Sequence, residues 1–404
     1  MDAALAVILG IGTLLIRLGM GFHQAGMLRA KNAAGAVMRT VTDVSVGVLA
    51  VWAIGGALFF GAGATPVITF APSALFMAGS FGGDAAGAFL LVVVVLLAGG
   101  ILTGVLAERT RFFPAVALSA VLMGLLIPVA AYWVRHPSGW LGRWGYVDVA
   151  GGTFIHLPAA VFALVASVAV GPRNGKYNRD GSSNAIPGHN LPLASLGILL
   201  MAVSWVPYVL MTQPVALLAP AAMNVLVAGA AGALASLTFC HLRYGKPDVH
   251  LTFDGLLGAL VAISVSGGLV SSLGAFLIGA VAGLIIPVLT LTIDLLWKID
   301  DPIGAIAIHG GGGLWGGVAV AIFARGGTFG EHLALLGRQV VGMLAITALA
   351  LGVGLVSVWA LKALTTLRSR EADEYDGLDL AEHDIGAYPD FQQTMIKSYH
   401  LREA

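Results

Sequence analysis

Eleven stretches of roughly 18 or more mostly apolar residues run along this chain, each long enough to cross the hydrocarbon core of a bilayer as one helix. They fall near residues 3–28, 41–63, 85–106, 113–133, 149–170, 190–211, 214–240, 252–271, 273–296, 303–324 and 337–365. Polar or Gly/Pro-rich loops separate them. The faintest boundary is at Gly267–Gly268, where the chain stays apolar and only a Ser-Gly-Gly triplet marks a turn. Of 404 residues, 58% are hydrophobic and 10% charged, against about 25% charged in soluble domains. So few charges cannot cover a water-facing surface, and lipid must solvate most of the chain. The 55 glycines would weaken helices in water, but they let membrane helices approach closely.

The positive charges test this count. With the N-terminus outside and the loops alternating, sixteen basic residues fall inside, four outside, and Arg17 within the first span, which accounts for all 21. The outside four are Arg135, Arg143, Arg325 and Arg338. One span more or fewer would spoil the alternation. The expected fold is therefore an all-α integral membrane protein with its N-terminus out and its C-terminus in. The N-terminus lacks a basic leader region and an evident cleavage site, so it reads as a true first span. A transmembrane domain at 1–367 and a polar inner tail at 368–404 follow, the tail either docked or loosely solvated. A net charge of zero makes no case for nucleic acid. The single Cys240 excludes an internal disulfide and a cysteine-based metal site.

Polar groups inside spans are costly and mark pathways. Two spans look alike: one runs from Asp148 through "VAGGTFIH" to His156, the other carries His309 in "IGAIAIHGGGGLWGG". Asp148 and His156 are eight residues apart, so they share a helix face about 12 Å apart along the axis. The histidine spans are fifth and tenth of eleven, which fits two five-helix halves of opposite orientation and a closing helix. Two neutral imidazoles can line an apolar path, bond a small solute and pass protons without adding a fixed charge. The plainer alternative is a pair of satisfied histidines at helix contacts. Arg17, His23 and Asp254 are weaker candidates, the first two for a vestibule or the inner end of the first span, the third for the inner interface. Most Trp and Phe residues read as interface anchors or packing. No nucleotide loop, dinucleotide fingerprint, HExxH or nucleophile elbow stands in a usable context, so neither an enzyme nor a cofactor is expected.

At these residues the chain resembles the ammonium transporter family of Amt, Mep and Rh proteins. "VDVAGGTFIHLPAA" is similar to that family's signature, and "GHNLPLASLG", "DDPIGAIAIHG" and "GLWGGVAVAIFA" match further blocks in order. "GMLRAKN" and "TGVLAERTRF" match inner loops, and "GLDLAEHDIGAYPDF" the C-terminal tail. The resemblance covers nearly the whole chain. It implies eleven helices, a homotrimer with one pore per subunit, ammonium as substrate, and a PII-type signalling partner at the cytoplasmic face of a bacterial inner membrane. His156 and His309 look like the family's twin pore histidines. Asp148 looks like its essential aspartate, supporting an outer recruitment region, and Asp300 and Asp301 fall on the paired acidic residues at the inner mouth.

The departures lie on the outer side. The tryptophan of the Amt-branch cation site is replaced by Arg135 or His136, and its serine by Thr212. The gate phenylalanines fall at Leu90, beside Phe89, and at Tyr208, with Trp205 in the vestibule packing. A common glutamate of the first span is Gln24. The aromatic box that holds a cation is largely gone, and Arg135 would repel one. Rh proteins keep the twin histidines without that tryptophan site. The leading expectation is conduction: ammonium loses its proton near Asp148 and ammonia crosses past His156 and His309. An ammonium sensor or non-conducting relative is the alternative, and a pore for another small solute the third.

Overall fold

The computed structural model of the chain describes residues 2–61, 65–78 and 84–388. Eleven helices among them are long and apolar enough to span a membrane: α1 (Ala3–Met27), α2 (Ala30–Phe59), α3 (Ala85–Val105), α4 (Phe112–Trp144), α5 (Gly152–Val170), α6 (Leu191–Leu210), α7 (Val215–Tyr244), α8 (Val249–Leu269), α9 (Ser272–Leu295), α10 (Ile306–Phe323) and α11 (Phe329–Leu364). Two short helices follow, α12 (Glu371–Asp376) and α13 (Leu378–His383). α3, α5, α8 and α10 are the most enclosed and form the centre. α1 runs along α6 and α7 along α9. The first of these pairs closes on Gly19, where an added Cβ would stand 2.7 Å from the Gly197 carbonyl oxygen, an approach that small residues permit.

The boundary at Gly267–Gly268 is a true break. Gly267 takes a left-handed φ of 48°. The side-chain amide of Asn224 donates to the carbonyls of Gly267 and Val270, both at 3.0 Å. Those carbonyls lose their helical partners at the turn, and an unpaired one in hydrocarbon is expensive. Two spans are longer than hydropathy suggests. α2 begins at Ala30 rather than near 41, and α11 at Phe329 rather than near 337. The α11 extension carries a capping box, Thr328 with Glu331. The upstream part of α2 is a polar extension held by the tail; the expected end of that span at residues 62–63 lies outside the described residues.

Arg17 neither snorkels nor opens to a vestibule. It is 4% exposed and pairs with Asp43 of α2. The pair lies against Gly99 and Gly100 of α3, where a side chain would collide with it. This is the arrangement an intramembrane charge requires, a partner of opposite sign within the bundle. Cys240 is buried and unpaired.

The tail docks, at least as far as residue 388. The Asp379 carboxylate accepts the backbone N–H groups of Ala34 (2.9 Å) and Gly35 (2.6 Å), capping the start of α2 with a negative charge at its positive end. Leu378 N–H donates to Asn32 Oδ1 at 2.9 Å. Glu382 takes Arg39 at 2.7 Å and the Phe112 N–H at 2.8 Å. Glu374 accepts from Asn174 N–H (2.5 Å) and Arg368 (2.9 Å). The inner ends of α2, α4 and the loop after α5 are thus clasped by one short segment. Lys397 and Arg402 lie outside the described residues. Asp379→Ala is expected to loosen the clasp, raising the rate at which a protease on the inner side cuts the tail by about 10-fold, the equivalent of one lost helix cap. An unchanged cleavage rate would contradict the clasp.

Candidate functional site

Two central helices begin with the same device. Ahead of α5, Asp148 is 4% exposed. Its Oδ1 accepts Gly151 N–H at 2.7 Å, and its Oδ2 accepts Thr153 N–H at 2.6 Å, Phe154 N–H at 3.0 Å and the Thr153 hydroxyl. Gly151 makes the turn at φ 110°, and a Cβ there would stand 3.1 Å from the Tyr208 hydroxyl. The next turn is wide: His156 N–H bonds back five residues to Gly151 at 3.1 Å. Ahead of α10, Asp301 accepts Ile303 N–H (3.2 Å) and Ile306 N–H (2.7 Å). Gly304 makes the corresponding turn at φ 69°, and α10 likewise opens with a wide turn, Ile306–Gly311. His309 lies eight residues beyond Asp301, as His156 lies eight beyond Asp148. The two halves of the inverted repeat therefore present their histidines by the same rule: a carboxylate at a helix N-terminus, a left-handed glycine, a wide turn, an imidazole.

The two imidazoles meet at the centre. Their ring centroids are 5.0 Å apart with planes 13° from parallel. His156 is fully buried and His309 5% exposed. Trp205 also stacks with His156, at 5.4 Å and 19°, its indole N–H held by Ser264 Oγ at 2.8 Å. The Tyr208 hydroxyl is 3.2 Å from His156 Nε2 and donates to the Ala150 carbonyl. The Nδ1 atoms of both histidines have no protein partner. Sequence placed Trp205 in the vestibule; the structure sets it, with Tyr208, at the level of the histidines.

Outside this centre lies a recess of about 450 Å³. It gathers Leu90, Arg135, His136 and Thr212, as expected, together with Phe59, Phe60, Val94, Phe154 and Met211, which sequence reasoning missed. Phe154 stands within the signature and Val94 one turn after Leu90, so the spacing on α3 was a usable signal. Phe89 instead packs toward Gly10 of α1. Aromatic character therefore returns to the recess from other positions. Arg135 is exposed there, and Asp84 also lines the recess. His136 stacks on Tyr132 at 4.7 Å and 25°. Thr212 Oγ1 donates to Val209 O at 3.0 Å. On the inner side a cavity of about 20 Å³ is lined by His309, His23, Gln24 and Met20 among others.

The expected acidic pair at the inner mouth separates. Asp301 caps α10, while Asp300 is 2% exposed and enters a buried ion network. Arg173 binds Asp300 through Nε (2.8 Å) and Nη2 (2.9 Å), and Glu108 through Nη1 (2.7 Å). Glu108 also takes Arg29 and Asn32. Burial pushes the Asp300 carboxyl up, but the hydrogen bonds and charge of Arg173, with Arg109, outweigh it and hold it down at about 2. Glu108, burial again opposing, is held low by Arg173 and Arg29. Asp254, expected at the inner interface, is buried, takes the Thr290 hydroxyl at 3.0 Å and lies beneath Gly304.

Eleven apolar spans and two mirrored broken helices that bring buried imidazoles together define a polytopic membrane transport protein. Known proteins narrow the class. The sequence profile of the Ammonium Transporter Family matches residues 4–388, and the chain belongs to that family. It is 32% identical to the ammonium transporter Amt2 of Archaeoglobus fulgidus, covering 97% of this chain and 89% of that one. It is 33% identical to the ammonium transporter Amt1 of Haloferax mediterranei, over 92% and 76%. The solved structure of a Sensor Amt Protein superposes with a TM-score of 0.90 at 30% identity, over 94% and 98% of the two chains. Saccharomyces cerevisiae Mep2 superposes at 0.82 and 22% identity, over 91% and 90%, which shows the shared fold.

Proposed function

We propose that this protein conducts ammonium as ammonia through the stacked pair His156–His309, with the proton shed on the outer side. The observation that carries the reading is the pair itself: two imidazoles 5.0 Å apart, enclosed by apolar side chains, each with a free Nδ1. An unpaired cation in such a place is very costly, while neutral ammonia is not. The outer recess gathers the solute against Phe59, Phe60 and Phe154. Asp148 holds the N–H groups that place His156. The homotrimer, the inner-membrane location and a PII-type partner rest on the family resemblance. The division into a transmembrane unit at 1–367 and a regulatory tail at 368–404 is supported by the clasp at the inner face. A sensor that binds without conducting would use the same site.

Uptake of labelled methylamine by cells carrying the protein separates these readings. Wild type is expected to take it up, with ammonium competing, and His156→Ala to lose it by about 100-fold, the scale of a lost polar contact at a dry transfer site. Binding without uptake in wild type would favour the sensor. Uptake indifferent to ammonium would favour another solute.

A further inference from the structure

We propose that a cleft at the inner ends of α4 and α11 binds the headgroup of an anionic phospholipid of the inner leaflet, and that this lipid helps to hold the tail in its dock. The site is separate from the pore and does not depend on whether the pore conducts. The cleft has a volume of about 640 Å³. Arg111 and Phe113 at the start of α4, Met38 of α2, and Ser369 and Arg370 at the base of the tail line it. Backbone bonds fix its two sides against each other: Arg111 N–H donates to the Leu367 carbonyl and Ser369 N–H to that of Arg109, both at 2.9 Å.

Three donors on this cleft lack acceptors. The Arg111 guanidinium takes part in none of the ion pairs among the described residues; those at this face use Arg39, Arg368 and Arg370. Ser369 is 7% exposed and its Oγ has no partner. The Phe113 N–H is second in its helix and finds no carbonyl there, at the positive end of the helix. Two carboxylates also line the cleft, and both are engaged. Asp373 grips Arg370 through both oxygens, at 2.9 and 2.8 Å, and feels Arg111 only from beyond ion-pair distance. Glu382 takes Arg39 and the Phe112 N–H. The charge of Arg111 is therefore left over. A guanidinium, a hydroxyl and a helix N-terminus form a donor set that suits a phosphate.

The rim says which phosphate. α11 is the least enclosed of the spans, and its closing turns leave Trp359 and Leu364 bare, as Phe113 is at 79% exposure. Met38, on the cleft itself, is also exposed. Large apolar side chains at the ends of spans face acyl chains, and tryptophan there marks the headgroup level. A soluble phosphate would meet the donors and leave the rim bare, whereas a phospholipid satisfies both. The inner leaflet supplies such lipids in anionic form and attracts basic groups beside a span. Its headgroup would bridge Arg111 of α4 to Ser369 at the base of the tail.

The test titrates full-length protein in detergent with phosphatidylglycerol or with phosphatidylcholine of the same acyl chains, counting lipids bound per subunit by native mass spectrometry, with inorganic phosphate as competitor. Wild type is expected to bind one phosphatidylglycerol about 10-fold more tightly than phosphatidylcholine, and that lipid should slow proteolysis of the tail. Arg111→Gln should weaken it by about 10-fold and Ser369→Ala by about 3-fold, the scale of one charged and one neutral hydrogen bond. Both should melt as lipid-free wild type does, since neither side chain has a partner to lose. Arg243→Gln, which removes an exposed arginine at the inner end of α7, should bind as wild type. Equal affinity for the two lipids would overturn the site, as would unchanged binding by Arg111→Gln or an equal loss in Arg243→Gln. Displacement of the lipid by an equal concentration of phosphate would overturn the lipid as occupant. A tail cut equally fast with and without phosphatidylglycerol would overturn the link to docking.

Discussion

Asp148→Ala is expected to abolish flux and to destabilise the protein, although Asp148 does not line the path. One carboxylate accepts three backbone N–H groups and one hydroxyl. Removing it strands those donors in a buried site, at about 1–3 kcal/mol for each donor left unsatisfied, and removes a negative charge from the start of a helix. The turn those bonds hold is the one that presents His156. We expect transport to fall by at least ~100-fold, the loss that follows when a transfer site is displaced by about 1 Å. Asp148→Asn keeps one acceptor oxygen but aims an NH2 at donors, so it should recover less than half of the lost stability. Uptake and thermal melting of the two variants check this. Near-wild-type flux in Asp148→Ala would show that His156 is positioned by other means. Asp301→Ala should do the same to α10 more mildly, since its carboxylate holds two bonds rather than four.

Arg173→Met should cost more stability than any other single change at the inner face. It leaves Glu108 and Asp300, with side chains 0% and 1% exposed, without the cation they share. Breaking a buried pair by removing one partner costs about 3–5 kcal/mol, which lowers Tm by on the order of 5–10 °C. The same network predicts a pH dependence. Asp300 is held at about 2 in the folded protein, below its ordinary value of about 3.9. Its stabilisation is therefore fully present above pH ~4 and is lost as pH falls toward 2. Melting temperature against pH should fall across that window in wild type, and the fall should be shallower in Asp300→Asn. Parallel profiles would contradict the assignment.

Much of the bundle was legible in the sequence, because a membrane imposes length and hydropathy on every span. The twin histidines were legible because they recur with glycine at corresponding places in two halves. Asp148 was legible as important, but its work was not, since only the folded turn shows its oxygens on four donors. The Asp-x-x-Gly spacing before each histidine was in plain view, and the Asp301 copy shows that the rule repeats. What hydropathy hid was paid for across the chain: α2 starts early because Asp379 caps it from the tail, and Arg17 is tolerated because Asp43 lies on the next helix. The outer recess was the least legible part. Its aromatic lining moved to Phe59 and Phe60, which no motif position announces, and to Phe154, which stands inside the signature beside the residues that drew attention.

The most direct test of the conduction account is the current evoked by an ammonium pulse on wild-type and His156→Ala protein in liposomes, with stopped-flow pH recorded alongside. Flux in wild type, electrogenic or electroneutral, that His156→Ala loses while remaining folded is the predicted result. No flux in wild type, or flux that His156→Ala retains in full, would contradict the pore assigned to His156 and His309.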